Sequence, residues 1–288
     1  MTPPNRLSMH SLTYLPQWST EGGRYVVERA AATGFGQVVV PMRDPATIEP
    51  AAVAAIFEQA GLTPIATANQ RPDADISSLD PEVRAAGLKR LRLSLGLARD
   101  FGARHLGGIL YGVLGKASAA ASPDNFSAAA DGLATLADEA AGMGIRLAIE
   151  IVNRYETNLV TTVERALELL DATGSSNLYL HLDTFHMAIE EDSMLDALER
   201  ALPRLAYFEL DQSNRGPLDK GNIDFAPLLA QLRSAGYEGY IGVEAFSSAI
   251  SDPQIAASVA AWRNLYEHGD VVAHSAIRVL KEAGFVPG

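Results

Sequence analysis

The chain has 288 residues, 48% of them hydrophobic, no cysteine and a formal net charge of −12. That composition is ordinarily globular and large enough for one sizeable core. The charge argues against nucleic acid or an anionic membrane as partner, and the missing cysteine removes disulfides, thiolate metal sites and cysteine nucleophiles together.

The opening Met-Thr-Pro-Pro-Asn-Arg carries no basic-then-apolar leader pattern, and no run reaches the ~18 apolar residues of a membrane helix. A soluble cytoplasmic protein is the expectation. From there the chain alternates. Short β-prone runs lie near 7–12, 36–41, 63–68, 104–110, 145–150, 178–183, 205–210 and 239–244. Ala-rich amphipathic segments near 20–33, 48–60, 80–101, 124–143, 161–172, 193–201 and 224–235 separate them, and one last helical stretch is expected over about 253–282. Strands each followed by a helix predict an α/β fold, a single-domain (β/α)8 TIM barrel over 1–288. Several helical segments end on the same punctuation, as in Ala32-Thr-Gly-Phe35, Ala60-Gly-Leu62 and Met143-Gly-Ile145. Glycine there accepts the left-handed conformation that stops a helix and releases the next strand.

In such a barrel, chemistry gathers at the C-terminal ends of the strands. Four successive apolar runs end on a carboxylate: Ile145–Glu150, Leu178–Asp183, Leu205–Glu209 and Tyr240–Glu244. The acids are 26 to 35 residues apart, about one strand–helix unit. A single strand-end carboxylate is as readily a helix cap. Four in consecutive units converge on one mouth and suit a hard divalent cation. The loops beyond them are polar. His186 lies three residues after Asp183 and leans over the same mouth, as a donor or a ligand. His181, inside its strand, reads as a satisfied core histidine. Arg215 either clamps a substrate oxygen or pairs with surface acids; Glu156 either binds a hydroxyl or caps a helix. Glu190, Glu191 and Asp192 read as a solvated helix start, and Trp262-Arg-Asn264 as packing within the terminal helix. Tyr14 and Trp18 are candidate apolar walls of a sugar pocket. No Gly-x-Ser-x-Gly elbow, Walker loop or dinucleotide fingerprint is present.

The segments Glu150-Ile-Val-Asn-Arg-Tyr-Glu156, His181-Leu-Asp-Thr-Phe-His-Met187 with Ile189-Glu-Glu191, Ser213-Asn-Arg-Gly216 and Val243-Glu-Ala-Phe-Ser-Ser248 closely resemble the ketose 3-epimerases, the D-tagatose/D-allulose group of the xylose-isomerase-like barrels. The likeness extends over nearly the whole chain. It implies a metal-dependent enzyme that inverts C3 of a free ketose through a metal-stabilised enediolate. Glu150 and Glu244 would be the acid–base pair and also metal ligands. Asp183 would be a plain ligand, and His186, Arg215 and Glu156 would hold the sugar. Mn2+ is the expected ion, with Mg2+ or Co2+ as alternatives, and a homodimer or homotetramer is implied. Aldose–ketose isomerisation, a 3-keto-glycoside lyase reaction and a non-catalytic sugar-binding barrel are the competing readings.

Two regions depart from the family pattern. A histidine stands there six residues before the arginine as the fourth metal ligand; here that position is Glu209. The family's Gly-Glu pair just beyond is Asp211-Gln212 here. A glutamate also usually ends the second strand, where this chain has Val38-Val-Val-Pro41. With Glu209 ionised, the site carries one more negative charge than the family's, which favours a hard ion and makes its acids hold protons more readily.

Overall fold

The computed structural model describes residues 6–286, so the first five residues of the segment read above for a leader pattern lie outside the described part. Its strands form on short, largely apolar runs: β1 (Leu7–His10), β2 (Gln37–Pro41), β3 (Thr63–Thr67), β4 (His105–Gly107), β5 (Arg146–Ile151), β6 (Leu178–Asp183), β7 (Leu205–Leu210) and β8 (Tyr240–Val243). They pair in parallel and in chain order, and β8 closes on β1. The helices are α1 (Thr20–Thr33), α2 (Pro50–Ala60), α3 (Pro81–Asp100), α4 (Pro123–Gly142), α5 (Val163–Thr173), α6 (Thr184–Glu190), α7 (Met194–Ala201), α8 (Ala226–Ser234), α9 (Pro253–Ser258) and α10 (Gly269–Glu282). The predicted (β/α)8 barrel is therefore the fold. Among the described residues no helix is long and apolar enough to cross a membrane.

Helix starts follow capping chemistry. Ser19, Ser122, Thr162 and Ser193 each accept a backbone N–H of the helix they open, and Ser122 completes a capping box with Asn125. Gly34 and Gly61 end their helices in the left-handed region, as the punctuation predicts, and Gly174 ends α5 in the same way.

Within the barrel, side chains two apart along a strand share a face. Tyr207 and Glu209 therefore both point inward, as do His181 and Asp183. The Tyr207 ring is buried against Val39 and Ile65 and donates to Ser8 Oγ at 2.9 Å. Its space exists because β8 has glycine opposite: a Cβ on Gly242 would come within 2.3 Å of the ring. A phenol thus floors the site below the ring of acids.

The expected terminal helix over 253–282 is broken. It ends at Ser258, and α10 begins afresh at Gly269 behind a His268 cap. The break has a tertiary cause. Ile255 packs with Leu12 and Phe246, which holds α9 over the barrel mouth, and Ala260 turns away with a left-handed φ of 53°. Trp262 lies in the intervening loop and is 69% exposed, so it does not pack within a helix. Tyr14 and Trp18 do not line the mouth either. Tyr14 donates its hydroxyl to Asp270 at 3.0 Å and covers Gly269, where a Cβ would meet the ring at 2.4 Å. Trp18 lies over Gly23 of α1.

Asp270 joins α10 to α1, accepting from Tyr14 and, at 3.1 Å, from Arg29 Nε. These bonds, from Arg29 and Tyr14, hold its carboxyl below the usual range against a desolvation that works the other way. A depressed folded pKa gives stability that is present above the unfolded value of ~3.9 and is lost as pH falls through the folded value. Asp270→Asn should therefore lower the melting temperature at pH 7, and the gap to wild type should narrow as pH falls below the unfolded value of ~3.9. An equal gap at pH 7 and pH 3 in thermal melts would sink this account.

Candidate active site

Strand ends deliver the acids. Glu150 lies on β5, Asp183 ends β6, Glu209 lies on β7 and Glu244 follows β8 directly. Asp183 and Glu209 are register partners, so their side chains start side by side. Glu150 is fixed through its backbone, whose N–H donates to Gly108 O at 3.0 Å. Gly108 approaches β3 so closely, with φ 103°, that a Cβ there would stand 2.3 Å from Ala68 O. That position needs glycine.

The cap and the ligand readings of Asp183 are not alternatives. One carboxylate oxygen accepts from Phe185 N at 2.7 Å and caps α6. The other, Oδ2, is fully buried without a hydrogen-bond partner among the described residues. An orphaned buried carboxylate oxygen is costly unless something absent from the chain contacts it. Asp183, Glu209 and Glu244 offer donor atoms all within 4.8 Å of one another, as do Glu150, Asp183 and His186, and Glu150, His181 and Glu209. Carboxylates with imidazole are the donors that Mn2+, Co2+ and similar divalent ions accept. The residues present therefore fit a divalent cation.

His181 is only half satisfied. Its Nε2 lies 3.0 Å from Glu209 Oε2, while Nδ1 has no hydrogen-bond partner among the described residues and lies 4.0 Å from Glu150 Oε2. His186 is oriented by Asn153, whose backbone N–H reaches Nδ1 at 3.1 Å. Accepting there puts the proton on Nε2, which faces the Glu150 and Asp183 carboxylates at 3.9 and 4.0 Å. Burial holds both imidazoles well below the usual range, so they are neutral.

Arg215 is the cation of the site. Its Nη2 lies 2.9 Å from Glu156, and its Nη1 lies 2.9 Å from Asp211 and 3.2 Å from Glu244. The guanidinium sits 4.0 Å from the centre of the Phe185 ring and 5.2 Å from that of Phe246. Arg215 thus pairs with acids, as one reading had it, but with buried ones at the pocket rather than on the surface, and Glu156 caps no helix. Burial, against the opposing pull of Arg215, raises the Glu244 carboxyl to about 7. Asp183 is raised to about 7 for the same reason. Burial and then repulsion from Glu244 and Asp183 push Glu150 and Glu209 well above the ordinary carboxylate range.

Several residues went unassigned in the sequence. Asp211 anchors Arg215, His10 Nδ1 lies 3.4 Å from Glu244 across the β1–β8 seam, and Asn153 sets the His186 tautomer. Only Asp211 left a local signal, four residues before its arginine. Glu190 and Glu191 are not solvated. Glu190 takes the Arg154 guanidinium at 2.8 Å, which ties α6 to the loop after β5, and Glu191, just past α6, accepts Val163 N at the start of α5 at 2.7 Å. The walls of the mouth are Leu12, Met42, Ile109, Leu114, Phe246 and Ile255, with Arg43 and Asn69 also lining it. The pocket is polar at its floor and apolar around its rim.

A family described as the xylose isomerase-like TIM barrel matches residues 27–265. The chain is similar to the L-ribulose 3-epimerase of Methylomonas sp. (strain DH-1), 36% identical over 281 residues that span 97% of this chain and 98% of that protein. It is similar to the ketose 3-epimerase of Arthrobacter globiformis, 31% identical over 271 residues and 94% of each chain. The crystal structure of D-allulose 3-epimerase from Methylomonas sp. in complex with D-allulose has a TM-score of 0.93 to this chain at 35% identity, covering 98% of this chain and 99% of that one.

Proposed function

The chain belongs to the ketose 3-epimerases of the xylose isomerase-like TIM barrels, and from that premise we propose that it inverts C3 of a free ketose with Glu150 and Glu244 as its two proton-transfer groups. The observation that carries this reading is positional. Glu150 and Glu244 flank the mouth from β5 and β8, with Asp183 and Glu209 on the strands between them. Inversion needs one acid–base group on each face of the carbon, and this arrangement provides two.

A divalent cation held by Glu150, Asp183, Glu209 and Glu244 would act as a Lewis acid toward the ketose carbonyl. The chain's own residues do the rest. Arg215 stabilises the ionised form of Glu244 and so favours it as the group that removes the C3 proton. Glu150 has no guanidinium within ion-pair distance among the described residues, holds its proton more readily and returns one to the opposite face. In the reverse direction the roles exchange. The His186 Nε2–H donates to a substrate oxygen, and Arg215 with Glu156 positions the hydroxyl-bearing carbons. The apolar rim and α9 limit water at the reacting carbon.

D-allulose and L-ribulose are the first substrates to try, because the similar proteins carry those names. Incubating Mn2+-loaded protein with each in D2O should give the C3 epimer with solvent deuterium at C3. Absence of C3 deuterium across D-allulose, D-fructose, D-tagatose and L-ribulose overturns the reading. Deuterium at C1 or C2 alone would assign the chain to aldose–ketose isomerisation instead.

A further inference from the structure

The opposite end of the barrel has a pocket of its own. Where the strands begin, a cavity of about 700 Å3 is lined by Arg6, Arg104, Arg146, His105, Tyr179 and Tyr240 among others, and by no aspartate or glutamate among the described residues. That volume suits a small molecule, whose sites run to ~300–1,000 Å3. Arg146 opens β5, and four residues of strand, about 13 Å, separate it from Glu150 at the mouth.

The cations of this pocket have no counter-charge in the chain. Acids outnumber lysines and arginines by 35 to 23, yet none of these three arginine side chains makes an ion pair or a hydrogen bond among the described residues. The fold nevertheless brings them together. Arg146 N–H donates to Arg104 O at 3.0 Å across the starts of β4 and β5, and Ile241 N–H on β8 fixes Arg6 through its carbonyl at 3.0 Å. The Arg146 guanidinium lies 5.0 Å from the centre of the Tyr179 ring. Burial pushes the Tyr237 phenol up, and Arg146 and Arg6 both pull it the other way, so the two guanidiniums face a common point. Like charges gathered in one concavity repel one another, and a shared anion relieves that repulsion.

A buried group points the same way. His105 is 1% exposed, and neither of its ring nitrogens has a hydrogen-bond partner among the described residues. Burial, and then Arg146, push the ring down to about 3, so it is neutral and offers one N–H and one lone pair. Leaving both unmet is costly unless a molecule outside the chain meets them.

We infer that this pocket binds a phosphorylated small molecule, with Arg6, Arg104 and Arg146 on its phosphoryl oxygens and His105 beneath them. Guanidinium forks match phosphoryl oxygens two at a time. A phosphoryl group or a pyrophosphate chain has oxygens for three such forks, whereas one carboxylate has two oxygens in all. The Tyr179 and Tyr240 rings give the rest of the ligand a wall to pack on. The site stands whichever ketose is turned over at the mouth, because it shares no residue with that machinery.

Inorganic pyrophosphate is the probe, and equilibrium dialysis of the labelled anion is the measurement. The metal-loaded protein and the same protein after chelator treatment should each bind one pyrophosphate per chain with the same affinity. Arg6→Gln, Arg104→Gln and Arg146→Gln should each weaken binding about tenfold or more, the scale of one charge-assisted hydrogen bond. Metal content at the mouth should not change in these variants. No binding to the wild type up to ~1 mM overturns the inference and leaves the epimerase reading standing. Binding that requires the metal would place the probe at the mouth, and so would full affinity in all three variants; either outcome overturns it. Equal displacement by succinate would show a cationic patch without preference for phosphoryl groups and would likewise overturn it. The wild type's own binding is decisive, so the test does not hang on how well a variant folds.

Discussion

Glu150→Gln and Glu244→Gln should each lower epimerisation by about 1,000-fold or more, within the 10²–10⁴ range that a positioned acid or base contributes. The amide keeps the volume and one oxygen for a cation, and it removes the exchangeable carboxyl. The two variants should differ in a way that a general loss of structure cannot imitate. With one carboxylate intact, the epimer whose C3 proton faces it can still exchange that proton with solvent, although it cannot invert. Glu150→Gln should therefore wash deuterium into one member of an epimer pair, and Glu244→Gln into the other. Nuclear magnetic resonance of the recovered sugar in D2O reads this directly, and metal content measured on the same samples separates lost proton transfer from lost metal. Either variant keeping a tenth of wild-type turnover with its metal bound would remove that residue from the acid–base pair.

How much of this was legible in the sequence depends on how local each feature is. Strand ends and helix stops are local. An apolar run closing on Glu150 or Asp183 marks both a strand and the mouth it opens on, and Gly34 or Gly61 marks a helix end. Contacts across barrel closure are not local. His10 is far from Glu244 in sequence, and β1 must pair with β8 before the two meet. Asn153 reaches His186 only because β5 and β6 are neighbours. The break between α9 and α10 was hidden for a related reason. The Ala-rich stretch from 255 to 261 favours helix by composition, and it is the packing of Ile255 on Leu12 and Phe246 that decides otherwise. Asp183 shows a different limit. A sequence poses cap against ligand as a choice, whereas a carboxylate has two oxygens and can serve as both.

Arg215→Met is the substitution expected to cost the most stability. The residue is 4% exposed and stands in a left-handed turn with φ 57°, its carbonyl accepting Phe246 N and its N–H donating to Gln212 O. Methionine fills a similar volume between Phe185 and Phe246, so little of the effect comes from a cavity. What is lost is the counter-charge of Asp211, Glu156 and Glu244, and removing one partner of a buried ionic cluster costs about 3–5 kcal/mol. The sign with pH follows from the same groups. Arg215 works against the rise of the Asp211, Asp183 and Glu244 carboxyls, so without it their folded pKa values move further above the unfolded ones of about 3.9–4.3. An acid raised on folding carries no penalty below its unfolded pKa, and the penalty grows as pH climbs toward the folded value. The deficit of Arg215→Met relative to wild type should therefore be large at pH 8 and shrink toward pH 4.5. Melting temperatures taken with chelator at both pH values test this, and a deficit of the same size at each would show that packing outweighs charge here. Arg215→Lys should recover part of the stability, since the charge returns. It should recover less of the turnover, because a single ammonium cannot span Glu156 on one side and Asp211 with Glu244 on the other as the fork does.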